Sequence, residues 1–219
     1  MPGEVPSSDV REMRDIVLHQ IRDAVEPVRR NKNGDVWRLD KVIDRGEVFR
    51  RVFLESSTIL DPIESLLGPN IEFMLSPHNH ATINLPRLAE TRLHRDVLQW
   101  SSTILTAIVY LENATEVNGC THVVPTTHRL PGVVKPNNGG MWVNDYAEFD
   151  DFQTQSVPVP MPSGGVLLMD GFVFHATGQN RNNRLRPIVT MGYRCIDELV
   201  QVRDPNMVLI RGQYVYKGR

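Results

Sequence analysis

Residues 164–194, GGVLLMDGFVFHATGQNRNNRLRPIVTMGYR, contain the pattern that decides the fold. Two β-prone runs, residues 166–169 and 172–177, flank an Asp-Gly turn signal, and a cluster of Gly, Asn and Arg residues precedes a third run. Such runs predict short strands joined by turns. Because side chains alternate between the two faces of a strand, His175 and Thr177 are expected on one face. The segment therefore predicts β-structure that presents an imidazole and a hydroxyl on the same side.

Similar β-prone runs recur throughout the chain after residue 70, and each is bounded by Gly, Pro or Asn. They are residues 71–75, 103–111, 121–124, 157–161, 188–194 and 208–210. Many short strands of this kind predict a β-sandwich or jelly roll. Residues 131–155 are polar and aromatic without a regular period, and a loop of that length predicts a lid or a binding loop.

Residues 1–70 show a helical pattern instead. From Ser8 or Asp9, either of which is a suitable N-cap, apolar residues recur at the spacing of one helix face and stop near Pro27. The basic and polar residues 29–35 then predict a surface loop. Two further short helices are predicted over residues 47–54 and 59–67.

We therefore predict one α+β domain, mainly β, over residues 1–219. Residues 1–70 form a helical preface that packs on one sheet, and residues 71–219 form the jelly-roll core with its lid loop. A chain of this length is large enough to bury a continuous core without disulfides.

The composition favours a small-molecule partner. The formal net charge is −2, and no basic stripe indicates nucleic acid or a membrane surface. The chain contains no apolar run long enough for a transmembrane helix, and its first residues lack the apolar region of a secretion signal. We therefore expect a cytoplasmic protein, and its two cysteines are expected to be reduced.

One motif carries candidate chemistry in the first half of the chain. His94 and Asp96 form the only His-x-Asp in the sequence, and in an extended segment they project to one side while Arg95 points away. An imidazole and a carboxylate directed at one point are two of the three ligands of the facial triad that binds iron(II). His-Arg-Asp also occurs in protein-kinase catalytic loops, but the Lys and Asn that follow there are missing here.

The order of the motifs resembles the phytanoyl-CoA dioxygenase family of iron(II)- and 2-oxoglutarate-dependent oxygenases. The matching residues are His94, Asp96, Asn118-Gly119, Pro125-Thr126-Thr127-His128, Gly164-Gly165, His175 and Arg186. Where the family pattern has Pro-Gly-Ser-His, this chain has Thr-Thr in place of Gly-Ser. The resemblance covers roughly residues 71–194 and implies a double-stranded β-helix, the cupin-like form of the jelly roll.

The resemblance also implies roles for individual residues. His94, Asp96 and His175 would be the catalytic iron(II) ligands, Arg186 would pair with the distal carboxylate of 2-oxoglutarate, and Thr177 would support that carboxylate. The implied reaction consumes O2 and 2-oxoglutarate, releases succinate and CO2, and oxidises a C–H bond of a small-molecule metabolite or natural-product intermediate. Hydroxylation is the expected outcome.

Several assignments have alternatives at this point. Arg184 competes with Arg186 as the carboxylate clamp, since boundaries read from one sequence shift by a few residues. His78 and His80 are a second pair of imidazoles that share a strand face, although pocket lining is favoured for them over metal binding. A non-catalytic jelly-roll protein that binds a metal or ligand but has lost turnover is the alternative function.

Substrate contacts are expected from Trp100, Trp142, Tyr146 and His80. The aromatic residues among them follow the His-x-Asp motif or lie in the predicted lid, where they would border the pocket. A homodimer is also predicted, in which a neighbouring subunit closes the pocket through residues 213–219.

Overall fold

The computed structural model describes residues 1, 3–86, 92–96, 104–130, 151–196 and 204–214. Helix α1 spans Ser7–Arg22 and buries the predicted apolar face. The buried residues of that face are Val10, Met13, Val17 and Ile21. The helix begins directly after Pro6, whose ring cannot accept a capping hydrogen bond, so the predicted N-cap at Ser8 or Asp9 is wrong. It ends at Arg22, short of Pro27, and Ala24 has a φ of 50° that no α-helix accommodates.

The two shorter helices of the preface are confirmed. Helix α2, Glu47–Arg50, continues into a π-helical turn over Arg51–Glu55, and α3 spans Ser57–Leu67. Gly68 ends α3 with a φ of 89°, the region in which glycine has no steric penalty.

The predicted surface loop at residues 29–35 is confirmed for residues 31–35 and wrong for residues 29 and 30, which belong to a strand of a β-hairpin. Strands β1, Val28–Arg30, and β2, Val36–Asp40, pair antiparallel. The side-chain oxygen of Asn31 accepts hydrogen bonds from the backbone N–H groups of Asn33 and Asp35, each at 2.9 Å. This Asn-based turn closes a hairpin whose strands carry too many charges to show an apolar pattern.

The remaining strands coincide closely with the predicted β-prone runs, apart from β4, which none of those runs predicted. They are β3 Ile71–Met74, β4 Asn79–Asn84, β5 Ile104–Tyr110, β6 Thr121–Val123, β7 Val157–Val159, β8 Val166–Asp170, β9 His175–Thr177, β10 Arg186–Cys195 and β11 Met207–Arg211. Two short 3₁₀ turns, Val42–Asp44 and Thr127–Arg129, and helix α4, Phe152–Gln155, complete the described elements. The last lies within the predicted lid, of which residues 131–150 are outside the described residues.

Two antiparallel sheets form the jelly roll. The larger has eight strands in the order β1-β2-β4-β10-β3-β11, with β5 pairing β10 and β8, and the smaller has the order β7-β6-β9. Alternation along β10 gives the large sheet two different faces. Val189, Met191 and Tyr193 pack against the helices, whereas Ile188 packs inward with residues such as Tyr110 and Cys120. The predicted helical layer on one sheet is thereby confirmed, and the inner face is left for the site.

Among the described helices, none has both the length and the apolarity needed to cross a bilayer.

Candidate metal centre

The two halves of the predicted metal site meet through the backbone. His94 and His175 exchange both backbone hydrogen bonds, N–H to O at 2.9 Å in each direction, and form an isolated antiparallel bridge. Their rings lie 4.3 Å apart between centroids. The backbone N–H of Asp96 donates to Gly171 O at 2.9 Å, so the His-x-Asp segment is anchored at two points to the β8–β9 region.

The side chains of His94, Asp96 and His175 converge. Oδ1 of Asp96 is 3.7 Å from Nε2 of His175 and 4.0 Å from Nε2 of His94. Each of the three residues offers one ligand atom within 4.8 Å of the other two, a spacing that a single metal ion can bridge. The structure thus brings together the three residues that the sequence singled out.

Hydrogen bonds orient each ligand. Nδ1 of His94 lies 3.2 Å from Arg92 O, and Nδ1 of His175 lies 3.0 Å from Val173 O. A carbonyl at Nδ1 requires that this nitrogen carry the proton, which leaves Nε2 as the lone-pair donor facing the centre. The Thr106 hydroxyl donates to Oδ2 of Asp96 at 2.8 Å, so Oδ1 is the carboxylate oxygen directed at the imidazoles.

The electrostatics favour the metal-binding protonation states. Burial, together with the neighbouring His175 ring, lowers the pKa of His94 to about 4. Burial alone would raise the pKa of the Asp96 carboxyl, but the His175 and His78 imidazoles outweigh it and hold that pKa well below its usual range. At neutral pH the cluster therefore contains a neutral His94 imidazole and a carboxylate, as metal binding requires.

Arg95 points away from the metal centre, as alternation predicted, and is only 1% exposed. Its guanidinium carbon lies 4.3 Å from the centroid of the Phe174 ring, within cation–π range, and its Nη2 donates to Thr127 O at 3.1 Å. Arg95 therefore packs the His-x-Asp segment against the turn that follows β6.

That turn contains the Thr-Thr that replaces the family's Gly-Ser. Thr126 has a φ of 69°, the left-handed conformation that glycine adopts without strain and a β-branched residue does not. The Thr127 hydroxyl donates to Val124 O at 2.8 Å and accepts from the Phe174 backbone N–H at 3.0 Å. The strain of this turn thus falls on Thr126, and Thr127 makes its hydroxyl contacts.

Arg186 and Arg184 occupy different environments. Arg186 is 1% exposed, its Nε donates to Asn118 O at 3.2 Å, and its Nη1 is buried without a hydrogen-bond partner among the described residues. Burial lowers the pKa of this guanidinium. Arg184 is exposed at the surface. Of these two arginines, Arg186 is therefore the one placed to receive an anion inside the fold.

Hydroxyl groups lie near Arg186, and the sequence analysis missed two of them. The Tyr110 hydroxyl lies 2.6 Å from Oγ1 of Thr121, and Thr121 pairs with the predicted Thr177 across β6 and β9. Burial raises the pKa of the Tyr110 hydroxyl, with Arg186 nearby. Alternation along β5 indicates that Tyr110 shares a face with every second residue of that strand. Its contact with Thr121, however, depends on strand pairing between residues distant in sequence.

The Asn-Gly motif is explained by close backbone approach. Gly119 has a φ of 75°, and a Cβ there would lie 2.1 Å from Gly178 O. The carbonyl of the preceding Asn118 accepts from Arg186, so the tight turn places an acceptor at the arginine.

The predicted substrate contacts are placed only in part. His80 is buried, its Nδ1 lies 3.1 Å from Pro77 O, and burial with nearby Arg38 lowers its pKa to about 3. Trp100, Trp142 and Tyr146 lie outside the described residues. Nε2 of His78 lies 3.4 Å from Oδ1 of Asp96, a contact that the sequence analysis did not foresee.

Comparison with known proteins gives a consistent result. The model of the phytanoyl-CoA dioxygenase (PhyH) family matches residues 11–188. The peroxisomal phytanoyl-CoA dioxygenase of Homo sapiens is 25% identical over 226 aligned positions, which cover 88% of this chain and 63% of that protein. The chain therefore spans less than two thirds of the length of this relative.

Solved structures show the same fold. EctD from S. alaskensis with bound Fe superposes with a TM-score of 0.75 at 16% identity, covering 95% of this chain and 80% of that one. The epimerase SnoN in complex with Fe3+, alpha-ketoglutarate and nogalamycin RO has a TM-score of 0.72 at 18% identity, with coverages of 97% and 90%. The jelly-roll architecture is confirmed, and by its match over residues 11–188 the chain belongs to the phytanoyl-CoA dioxygenase (PhyH) family.

Proposed function

We propose that this protein is an iron(II)- and 2-oxoglutarate-dependent dioxygenase that oxidises a small molecule. The observation that carries the proposal is the convergence of His94, Asp96 and His175 inside a jelly roll that also buries the side chain of Arg186. Membership of the PhyH family supports the same activity.

The donor set fits iron(II). Two imidazoles with lone pairs on Nε2 and one carboxylate form the 2-His-1-carboxylate set of non-heme iron(II) oxygenases, which leaves positions for cosubstrate and O2. The Nδ1 carbonyl contacts of His94 and His175 supply the outer hydrogen bonds that such ligands require. These three residues would hold the ion.

The surroundings of Arg186 fit 2-oxoglutarate. A buried guanidinium nitrogen without a partner is costly unless an anion binds there, and a guanidinium can bind a carboxylate through two parallel hydrogen bonds. We assign the distal carboxylate of 2-oxoglutarate to Arg186 rather than to the exposed Arg184. The hydroxyls of Tyr110, Thr121 and Thr177 would supply further donors.

When bound, iron(II), 2-oxoglutarate and O2 would supply oxidative decarboxylation to succinate and CO2, coupled to oxidation of a substrate C–H bond. The residues of the chain would orient the reactants and exclude water. Thr106 donates to the Asp96 carboxylate, and the buried apolar residues Ile108, Met169 and Ile188 would help to exclude water.

We propose hydroxylation of a metabolite or natural-product intermediate as the outcome. The solved neighbours include an epimerase from nogalamycin biosynthesis, so related folds serve natural-product chemistry and also run reactions other than hydroxylation. The formal net charge of −2 gives no support to a CoA thioester as substrate. Trp100, Trp142, Tyr146 and His80 remain our predicted substrate contacts, and a homodimer in the cytoplasm remains our prediction.

The function is tested by anaerobic addition of iron(II) and then 2-oxoglutarate. We expect a visible metal-to-ligand charge-transfer band, followed by succinate on admission of air, and Asp96→Ala should abolish the band. The absence of a band in the unmodified protein would refute the proposal. A band without succinate, across a panel of candidate substrates, would favour a binding protein that has lost turnover.

A further inference from the structure

His78 lies beside the metal centre although no motif assigns it a role. It is 8% exposed and directly precedes β4. Its Nε2 is 3.4 Å from Oδ1 of Asp96, closer than the Nε2 atoms of His175 and His94. The oxygen that faces the metal position is therefore contacted by a third imidazole.

The packing shows how the chain makes room for this imidazole. Gly192 lies between Met191 and Tyr193, which face the helices, so its missing side chain would face the site. A Cβ at Gly192 would lie 2.6 Å from the Cβ of His78 and 2.6 Å from the sulfur of Met74. The Gly192 N–H also donates to His78 O at 2.9 Å. Glycine at this position is what permits His78 to pack against the middle of β10.

The residue that pairs with Gly192 in the sheet holds Oδ2, the other oxygen of the Asp96 carboxylate. Gly192 pairs with Thr106 across β10 and β5, and the Thr106 hydroxyl donates to Oδ2 of Asp96. His78, which packs at Gly192, and Thr106 therefore contact the two oxygens of the Asp96 carboxylate from different sides.

The geometry distinguishes a hydrogen-bond partner from a fourth metal ligand. Among the residues described, the ligand atoms that lie within 4.8 Å of one another are those of His94, Asp96 and His175, and His78 does not join that group. Nδ1 of His78 is buried without a hydrogen-bond partner in the described part of the chain. A ring whose Nε2 lies beside a carboxylate oxygen, and whose Nδ1 has no partner among the described residues, is suited to donate from Nε2.

We propose that His78 is a positioning residue for the metal carboxylate, whose Nε2–H donates to Oδ1 of Asp96 while Thr106 holds Oδ2. This inference rests on the proposed function. Held at both oxygens, the carboxylate is fixed before metal arrives and presents Oδ1 to the ion. A hydrogen bond to Oδ1 also withdraws electron density from the ligand oxygen.

The test compares His78→Leu and His78→Gln with the wild-type protein and with His19→Leu, which removes an exposed imidazole on helix α1. Cobalt(II) affinity of the metal-free protein is measured by anaerobic titration. Loss of an outer-sphere partner typically costs about 10 to 100-fold in metal affinity, so we expect His78→Leu to bind cobalt(II) at least about tenfold more weakly. His78→Gln keeps a donor near the Nε2 position and should recover most of the affinity, and His19→Leu should match wild type.

A second readout separates positioning from a general structural effect. Because the hydrogen bond weakens Asp96 as a donor, the charge-transfer band of the iron(II) and 2-oxoglutarate complex should move to lower energy in His78→Leu and return towards the wild-type position in His78→Gln. Gly192→Ala should reproduce the His78→Leu shift, since the added methyl displaces the ring. If His78→Leu does not fold, His78→Gln and Gly192→Ala decide the question against wild type.

The proposal is overturned by wild-type affinity and an unmoved band in His78→Leu or Gly192→Ala. It is also overturned if X-ray absorption of the cobalt(II) protein counts three imidazoles, which would make His78 a ligand. Either result leaves the wild-type band and the proposed function intact. Failure of the wild-type protein to bind metal removes both proposals together.

Discussion

Replacing Arg186 with methionine should leave the stability of the metal-free fold nearly unchanged and weaken 2-oxoglutarate binding. The buried Nη1 without a partner among the described residues costs the folded protein about 1–3 kcal/mol. Arg186→Met removes that cost and also gives up the Nε bond to Asn118 O, which comes from a charged donor and is worth about 1.5–3 kcal/mol. The two terms nearly cancel, so the free energy of unfolding should change by no more than about 1 kcal/mol.

A large loss is expected for 2-oxoglutarate binding. Truncating one partner of a buried, hydrogen-bonded charge pair costs about 2–5 kcal/mol, because the other charge is left buried and unpaired. At about 1.4 kcal/mol per tenfold change, the affinity for 2-oxoglutarate should fall between about 30-fold and several thousand-fold. Arg186→Lys should lie between methionine and wild type, since the ammonium keeps the charge and loses the planar fork.

The assay has two parts and one matched control. Thermal unfolding of the metal-free protein should show a midpoint within about 4 °C of wild type in Arg186→Met, since about 1 kcal/mol shifts the midpoint by about 2–4 °C in a domain of this size. Titration of 2-oxoglutarate, followed by the charge-transfer band, measures the affinity. Arg184→Met, at the exposed neighbouring arginine, should change neither quantity. An unchanged affinity in Arg186→Met, or a midpoint that differs from wild type by much more than about 4 °C, would refute the reasoning.

Three further predictions concern the turn, the carboxylate and a buried imidazole. Thr126→Gly should raise the free energy of unfolding, measured by chemical denaturation, by about 0.5–1 kcal/mol. The substitution removes about 1–2 kcal/mol of left-handed strain, which outweighs the greater entropy of glycine in the unfolded chain. A loss of stability would contradict this prediction. Thr106→Val should lower cobalt(II) affinity about tenfold by releasing Oδ2 of Asp96. It should also lower the free energy of unfolding of the metal-free protein by about 1–3 kcal/mol, because a buried carboxylate oxygen loses its donor, and unchanged metal affinity would contradict the role of Thr106. The pKa of His80 is about 3 in the folded protein, below its unfolded value of 6.5. Between these two pH values only the unfolded state binds a proton at His80. The stability that the neutral, buried His80 contributes is therefore lost as the pH falls from 6.5 towards 3. Urea titrations of His80→Gln should therefore show a stability that falls by about 1.4 kcal/mol less per pH unit than wild type between pH 6 and 4, and equal slopes would show that His80 titrates normally.

Alternation and helical periodicity were sufficient for much of the molecule. The apolar face of α1 is a local pattern of period 3.6, and β5, β8 and β10 lie in short β-prone runs bounded by turn residues, so all four can be predicted without knowing what the elements pack against. The His-x-Asp spacing directed His94 and Asp96 to one side by the same rule.

Local patterns were insufficient where polar residues build a strand. The β1–β2 hairpin is rich in charge, and β4 is NHATIN, so neither shows the apolar alternation that marks a half-buried strand. Strands β2 and β4 are held in place by pairing with strands distant in sequence: β4 pairs with β10, and β2 pairs with β4. Strand pairing of this kind depends on register, which no short window contains.

By itself, then, the sequence determined the fold class, the helical face of α1 and the identity of the three converging side chains. Tertiary structure alone decided that Arg186 is buried while Arg184 is exposed, that Tyr110 meets Thr121, and that His78 contacts Asp96. The physical reason is that side-chain direction is set by backbone period within an element, whereas burial and contact are set by which distant elements pack together.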